Sequence, residues 1–268
     1  MGTVMKKFFK ILFLYLIVFL SCSHNDYKNY MEKGEYEKAL KIAEENFKTH
    51  PEKKVLADII YLSDEKLYDT KRAIINTKRY EDVKGDFSGI ENIIGTLYYN
   101  YSLSFYKKGE NDSSEYYLKK AEYFSPENYK IYLLFGKIYV KKNDFEKAKT
   151  FLLKSVEKEK KNVESYKFLG NIEFLQGNFE NAKNYYEKGI STDSSDCQLL
   201  MNYAELHMKT KNEKKGLEII KKVISIDSTY FDAYDRLVKY YYKVGLTDSI
   251  FKYLNLYENI AKRNANKK

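Results

Sequence analysis

Residues 129–162 read YKIYLLFGKIYVKKNDFEKAKTFLLKSVEKEKKN, and the spacing within this stretch decides the fold. Apolar residues recur three and four positions apart on both sides of the polar step Lys141-Lys142-Asn143-Asp144. That is the period of an α-helix with one buried face, so the stretch predicts two amphipathic helices joined by a short turn. Gly136 in the first half and Ala148 in the second are small enough to let the paired helices approach closely. Residues 163–196, VESYKFLGNIEFLQGNFENAKNYYEKGISTDSSD, repeat the arrangement, with Gly170 and Ala182 each 34 positions after their counterparts.

Working outward, the period of 34 runs without gaps through 95–128, 129–162, 163–196, 197–230 and 231–264. Two further units fit upstream, at 20–53 and 54–87, which leaves residues 88–94 as a seven-residue insertion and 265–268 as a polar tail. Glycine occupies the same inter-helix position in four units, as Gly34, Gly109, Gly177 and Gly245. A helix C-terminus favours a left-handed residue there, and glycine adopts that backbone without strain. Both prolines, Pro51 and Pro126, follow a predicted second helix and mark its end. A lone helix pair cannot cover its apolar face, so the units are expected to stack into one elongated all-α domain.

The units resemble the tetratricopeptide repeat, whose pattern is W-x2-L-G-x2-Y, then A-x3-F, then P. The fourth unit carries Tyr132, Phe135-Gly136, Tyr139, Ala148 and Leu152, and the fifth carries Tyr166, Leu169-Gly170, Ala182 and Tyr186. The third keeps Tyr98, Ala121 and Pro126 but has Tyr101-Ser102 at the Leu-Gly step; the second is the weakest copy, held mainly by Ala73. The resemblance implies a superhelical helix-turn-helix solenoid of about seven repeats, acting as a protein-protein interaction scaffold through a concave groove lined by first helices. It points to Tyr99, Tyr106, Lys137, Lys141, Lys167, Asn171, Phe174, Asn202, Met208, Arg236, Lys239 and Tyr242 as the partner-binding groove. This mix of aromatic, Met and Lys suits a partner helix or an extended acidic peptide. Lys167, Asn171, Asn202 and Arg236 also match the spacing with which chaperone-adaptor members hold a partner's C-terminal carboxylate, whereas Asp232 reverses one charge of that set.

The first 21 residues have a different character. They hold no acidic residue, and Lys6, Lys7 and Lys10 precede the apolar run Ile11 to Leu20. That run has the length of a signal-peptide core and falls short of a bilayer span, so the segment is expected to direct export. Its end, Phe19-Leu20-Ser21-Cys22, resembles the lipobox of bacterial lipoproteins, with Phe19 as the departure. The resemblance implies cleavage before Cys22 and a lipid on that cysteine, which would hold the body at a bacterial membrane, facing the periplasm or on the outer membrane.

Composition narrows the remaining choices. The 268 residues are 32% charged, 44% hydrophobic and 16% aromatic, with 28 Tyr and no Trp, which argues against a polytopic membrane protein and against disorder. The formal charge is +9; without the three leader lysines, 44 basic and 38 acidic residues leave +6, interleaved along the chain. Such a spread reads as a solvated surface, and no nucleic-acid partner is expected. Cys197 is the only other cysteine, and its Ser194-Ser195-Asp196 neighbours offer no base to activate it. His24, His50 and His207 lack ligand spacing, so no metal, cofactor or enzymatic activity is expected. A glycan- or nutrient-binding role for the Tyr-lined groove is the alternative, since aromatic faces stack on sugar rings.

Overall fold

The computed structural model describes residues 26–265; the leader, Cys22 and His24 lie outside them. Among the described residues the chain forms fourteen α-helices and no strand. They are α1 (Asp26–Glu32), α2 (Tyr36–Thr49), α3 (Lys53–Ile60), α4 (Thr70–Asp82), α5 (Glu91–Lys108), α6 (Asn111–Phe124) and α7 (Tyr129–Lys141). The others are α8 (Phe145–Lys158), α9 (Val163–Leu175), α10 (Phe179–Thr192), α11 (Cys197–Lys209), α12 (Glu213–Ile226), α13 (Phe231–Lys243) and α14 (Thr247–Ala265). Odd and even helices pair as consecutive hairpins. First helices begin at Tyr129, Val163, Cys197 and Phe231 and second helices at Phe145, Phe179, Glu213 and Thr247, each series advancing by 34.

The turn inside each hairpin repeats as faithfully as the helices. Gly34, Tyr68, Gly109, Asn143, Gly177, Lys211 and Gly245 all have φ between 55 and 83°. In six hairpins the residue after this one closes the helix end by donating its N–H five residues back, as in Glu110 to Phe105 at 3.0 Å, Asn178 to Glu173 at 2.9 Å and Asn212 to His207 at 2.8 Å. This bond pattern satisfies carbonyls that the helix leaves open, and it demands a left-handed residue whether or not the sequence supplies glycine. Several helices then start under a side-chain cap. Asp144 Oδ1 accepts from the Lys147 N–H at 3.2 Å, and Asp196 Oδ1 accepts from the Leu199 N–H at 2.9 Å.

The second hairpin departs from the pattern for a visible reason. Helix α3 runs on as a π-helical stretch, Tyr61–Lys66, and the Asp69 N–H there reaches six residues back, to Ser63 at 2.7 Å. One extra residue is absorbed within the first helix, which shifts its side chains out of register with the other units. That shift accounts for the poor repeat match of residues 54–87. The stretch 88–94 is likewise not all loop, because α5 begins at Glu91 and its 18 residues exceed the 13 of α7, α9, α11 and α13.

The chain divides into two compact units at Ile131/Tyr132. In the first, Leu40, Ala43, Phe47, Leu56, Ile59 and Ala73 are fully buried between α2, α3 and α4. Here Arg72 forks onto Glu44, donating Nε to Oε1 at 3.0 Å and Nη2 to Oε2 at 2.7 Å, while the buried Asn76 amide donates to Oε1 at 2.7 Å. In α5, Ser102 occupies the position of the small residue and is buried with Ser114, its hydroxyl donating to the Ser114 carbonyl at 2.8 Å. The second unit is cored by Leu169, Ala182, Tyr186, Leu199, Ala204, Val223, Ala233 and Leu237, all essentially inaccessible. Among the described residues no helix is long and apolar enough to cross a membrane.

Candidate functional site

In the second unit, the first helices α9, α11 and α13 carry the side chains that can meet a ligand. Their arrangement starts from a close approach. Gly170 on α9 leaves room for the ring of Tyr186 on α10, and that tyrosine, buried, donates its hydroxyl to Asn171 Oδ1 at 2.8 Å. From α11, Asn202 Nδ2 donates to the same oxygen at 2.8 Å. Two donors on one carbonyl oxygen fix which way the Asn171 amide points. Its Nδ2 hydrogens are left without a partner among the described residues. The network continues as Gln198 Nε2 donates to Asn202 Oδ1 at 3.0 Å and Tyr230 Oη donates to Gln198 Oε1 at 2.9 Å.

Beside this amide lies a hollow of about 210 Å³ lined by Asn171, Phe174, Leu175, Tyr186, Asn202 and Glu205. Leu175, which lines it, is 68% exposed and so open to a ligand. A second hollow, of about 280 Å³, is lined by Met201, Ala204, Glu205, Met208, Lys209, Ile220 and Arg236. Glu205 borders both, so the two form a continuous face along α9 and α11. Met208 sits over Gly216, where an added Cβ would meet its sulfur at 2.6 Å. Arg236 reaches from α13 to Glu205, with Asp232 Oδ2 3.8 Å from its Nε.

Three lysines of the first helices are balanced in place. Lys137 meets Glu164 at 2.6 Å and lies 5.7 Å from the Phe168 ring centre, Lys167 meets Asp196 at 3.0 Å, and Lys239 meets Asp235 at 2.6 Å. Each of Lys167, Asn171, Asn202 and Arg236 is therefore held by a neighbour in the chain. The structure gathers Asn171, Phe174, Asn202, Met208 and Arg236 around the two hollows. Lys141 is exposed at the end of α7, and Tyr242, 79% exposed, lines neither hollow. Tyr99 and Tyr106 lie half-buried on α5 of the first unit. Leu133 on α7 is buried, and Met201, which borders the second hollow, packs against the α11–α13 core.

Sequence reasoning missed Gln198 and Tyr230. The Gln198–Asn202 spacing of four is a readable signal, but Tyr230 joins it only through the fold. Burial, with Glu205 nearby, pushes the Tyr186 hydroxyl up, so it remains a donor. Burial likewise raises the Cys197 thiol, aided by Asp227, Asp196 and Asp193, which disfavours its thiolate. Among the described residues no group of three His, Cys, Asp or Glu side chains could hold a metal.

A family model, the tetratricopeptide repeat protein 21 C-terminal ARM domain, matches residues 110–235. No curated protein matches the chain. Among solved structures, the C-terminal part of a TPR repeat-containing protein from Cytophaga hutchinsonii is similar with a TM-score of 0.65 at 12% identity, covering 86% of this chain and 92% of its own. YrrB, described as a TPR protein with an unusual peptide-binding site, gives 0.56 at 18% identity over 71% of this chain and 95% of its own. Pseudomonas aeruginosa pilF gives 0.58 at 13% identity, covering 63% and 77%. With hairpins and left-handed turns recurring every 34 residues from Gly109 on and these structures sharing its architecture, the chain has the fold of tetratricopeptide-repeat proteins.

Proposed function

We propose that this chain is a protein-binding scaffold whose α9–α11 face takes an extended peptide segment of a partner. One observation carries the reading: the Asn171 amide, its oxygen pinned by Tyr186 and Asn202, sits beside an apolar hollow with Leu175 exposed at the rim. A peptide offers what this combination lacks, a backbone carbonyl for Nδ2 and an apolar side chain for the hollow. Pairing of Lys167 with Asp196 and of Arg236 with Glu205 favours an uncharged segment over an acidic one at these positions, because an acidic peptide would have to displace existing carboxylates. The peptide-binding site of YrrB offers a precedent within the same fold.

The scaffold is exported and fixed to a bacterial envelope membrane through lipid on Cys22, facing the periplasm or on the outer membrane, where it serves the assembly of an envelope complex or secretion. The basic and apolar leader ending at Ser21-Cys22 supports this placement. Two chains on one cysteine would anchor it far more firmly than one.

A photo-crosslinking residue at position 175 tests the first part in intact cells. The expected result is a discrete protein adduct that disappears with Asn171→Ala and does not form from the exposed Tyr68 position. An adduct indifferent to Asn171 would refute the peptide site. For the anchor, Cys22→Ala should release the protein from the membrane pellet; retention would remove the lipid from the reading.

A further inference from the structure

The outer face of α6 in the first unit carries a feature that peptide binding does not use. Residues 115–124 read EYYLKKAEYF, in which Glu-Tyr followed by an aromatic occurs twice, seven positions apart, as Glu115-Tyr116-Tyr117 and Glu122-Tyr123-Phe124. Seven residues are nearly two helical turns, so Tyr116 and Tyr123 stand on one side of α6, about 10.5 Å apart along its axis. Both are solvent-facing, at 56% and 81% exposure. Each is nonetheless braced by the next ring in the chain: Tyr116 lies edge-on to Tyr117 with centres 5.0 Å apart at 83°, and Tyr123 to Phe124 with centres 5.0 Å apart at 88°. Two exposed rings thus share one preset geometry.

Between them opens a hollow of about 380 Å³ lined by Glu81, Tyr116, Lys119, Lys120, Tyr123 and Phe124. No aliphatic side chain is in this set, in contrast to the Leu, Met, Ala and Ile of the α9–α11 hollows. Its charges are also balanced in place. Lys119 meets Glu115 at 3.0 Å, and Lys120 meets Glu81 at 3.4 Å over the Tyr98 ring, whose hydroxyl donates to Glu81 at 2.9 Å. The wall is therefore largely apolar through its aromatic faces and lysine stems, with paired charges at its edge and no net charge for an ionic ligand.

We propose that this face of α6 binds an extended, uncharged oligosaccharide. The C–H face of a pyranose ring stacks on an aromatic face, and the ring hydroxyls take hydrogen bonds from polar side chains at the edge. Tyr116 and Tyr123 each take one sugar, separated along the helix by about 10.5 Å, so a chain of several sugars bridges both while a disaccharide covers only one. Glu81, Lys119 and Lys120 lie between the platforms and meet the hydroxyls of the intervening unit.

Calorimetric titration of the whole chain with cellohexaose, xylohexaose and mannohexaose tests the site. At least one hexasaccharide should bind, the matching disaccharide should bind about tenfold more weakly, and Tyr116→Ala or Tyr123→Ala should each lower hexasaccharide affinity about tenfold. Tyr116→Phe and Tyr123→Phe keep the stacking face and should keep affinity. Helical circular dichroism checks that these exposed substitutions leave the fold intact. Failure of all three hexasaccharides to bind at millimolar concentration overturns the proposal, as does equal affinity for disaccharide and hexasaccharide or binding indifferent to both alanine variants. Because the probes are saccharides and the variants lie on α6, a negative result here leaves the crosslinking test at position 175 unaffected.

Discussion

Gly170 lies directly under the ring of Tyr186: a Cβ built on the glycine would meet ring carbon Cε1 at 2.4 Å. The same tyrosine orients Asn171 through its hydroxyl, so one contact couples helix packing to the candidate peptide face. Gly170→Ala forces the rigid ring aside and should destabilise the protein by about 1–3 kcal/mol, read as a lowered denaturant midpoint. Tyr186→Phe keeps the packing and removes one donor, so it should cost only about 1 kcal/mol while loosening Asn171. If both variants were equally stable, the ring would not be held as tightly as the structure has it.

The left-handed turns separate conformation from contact. Lys211 takes φ 61° at the place where Gly177 and Gly245 take 79° and 76°. An L-residue is strained there by about 1 kcal/mol, so Lys211→Gly should raise stability by up to that amount, and Gly177→Ala should lower it comparably. Chemical denaturation with unchanged slope is the check, since a changed slope would implicate the unfolded ensemble instead.

Acid should unfold the first unit partly through Glu44. Burial opposes its ionisation, but the hydrogen bonds from Arg72 and Asn76 outweigh it and hold the carboxyl below its ordinary value of 4.5. A depressed carboxylate contributes stability above its unfolded pKa and loses it as pH falls through the folded one. Glu44→Gln should therefore be less stable than the parent at neutral pH, and the gap should shrink below about pH 4. Melting temperatures across that range decide it.

His207 acts in a different window. It stacks edge-on to Tyr203 with ring centres 4.6 Å apart, and its buried Nε2 has no hydrogen-bond partner. Burial lowers its pKa from 6.5, helped by Lys215 and Lys183. The fold thus favours the neutral ring, and stability present above about pH 6.5 is lost as pH falls through the unfolded value. His207→Phe should flatten stability between about pH 5 and 7; a parent profile already flat there would contradict the burial of Nε2.

The sequence by itself determined the helix pairs, their period and the places where small residues must fall. Apolar spacing, inter-helix glycines and residues such as Gly136, Gly170, Ala148 and Ala182 are local signals whose physics involves only near neighbours along the chain. The turn at Lys211 was not legible, because this residue adopts the left-handed backbone under the pull of a hydrogen-bond pattern closed by the whole hairpin. Helical counting named Asn171, Phe174, Asn202, Met208 and Arg236, but it could not show that Tyr186 and Asn202 converge on one oxygen of Asn171. Nor could it show that Lys137, Lys167 and Lys239 already have carboxylates. Those facts depend on side chains 15 and 31 positions apart meeting across stacked helices, and only tertiary packing sets that meeting.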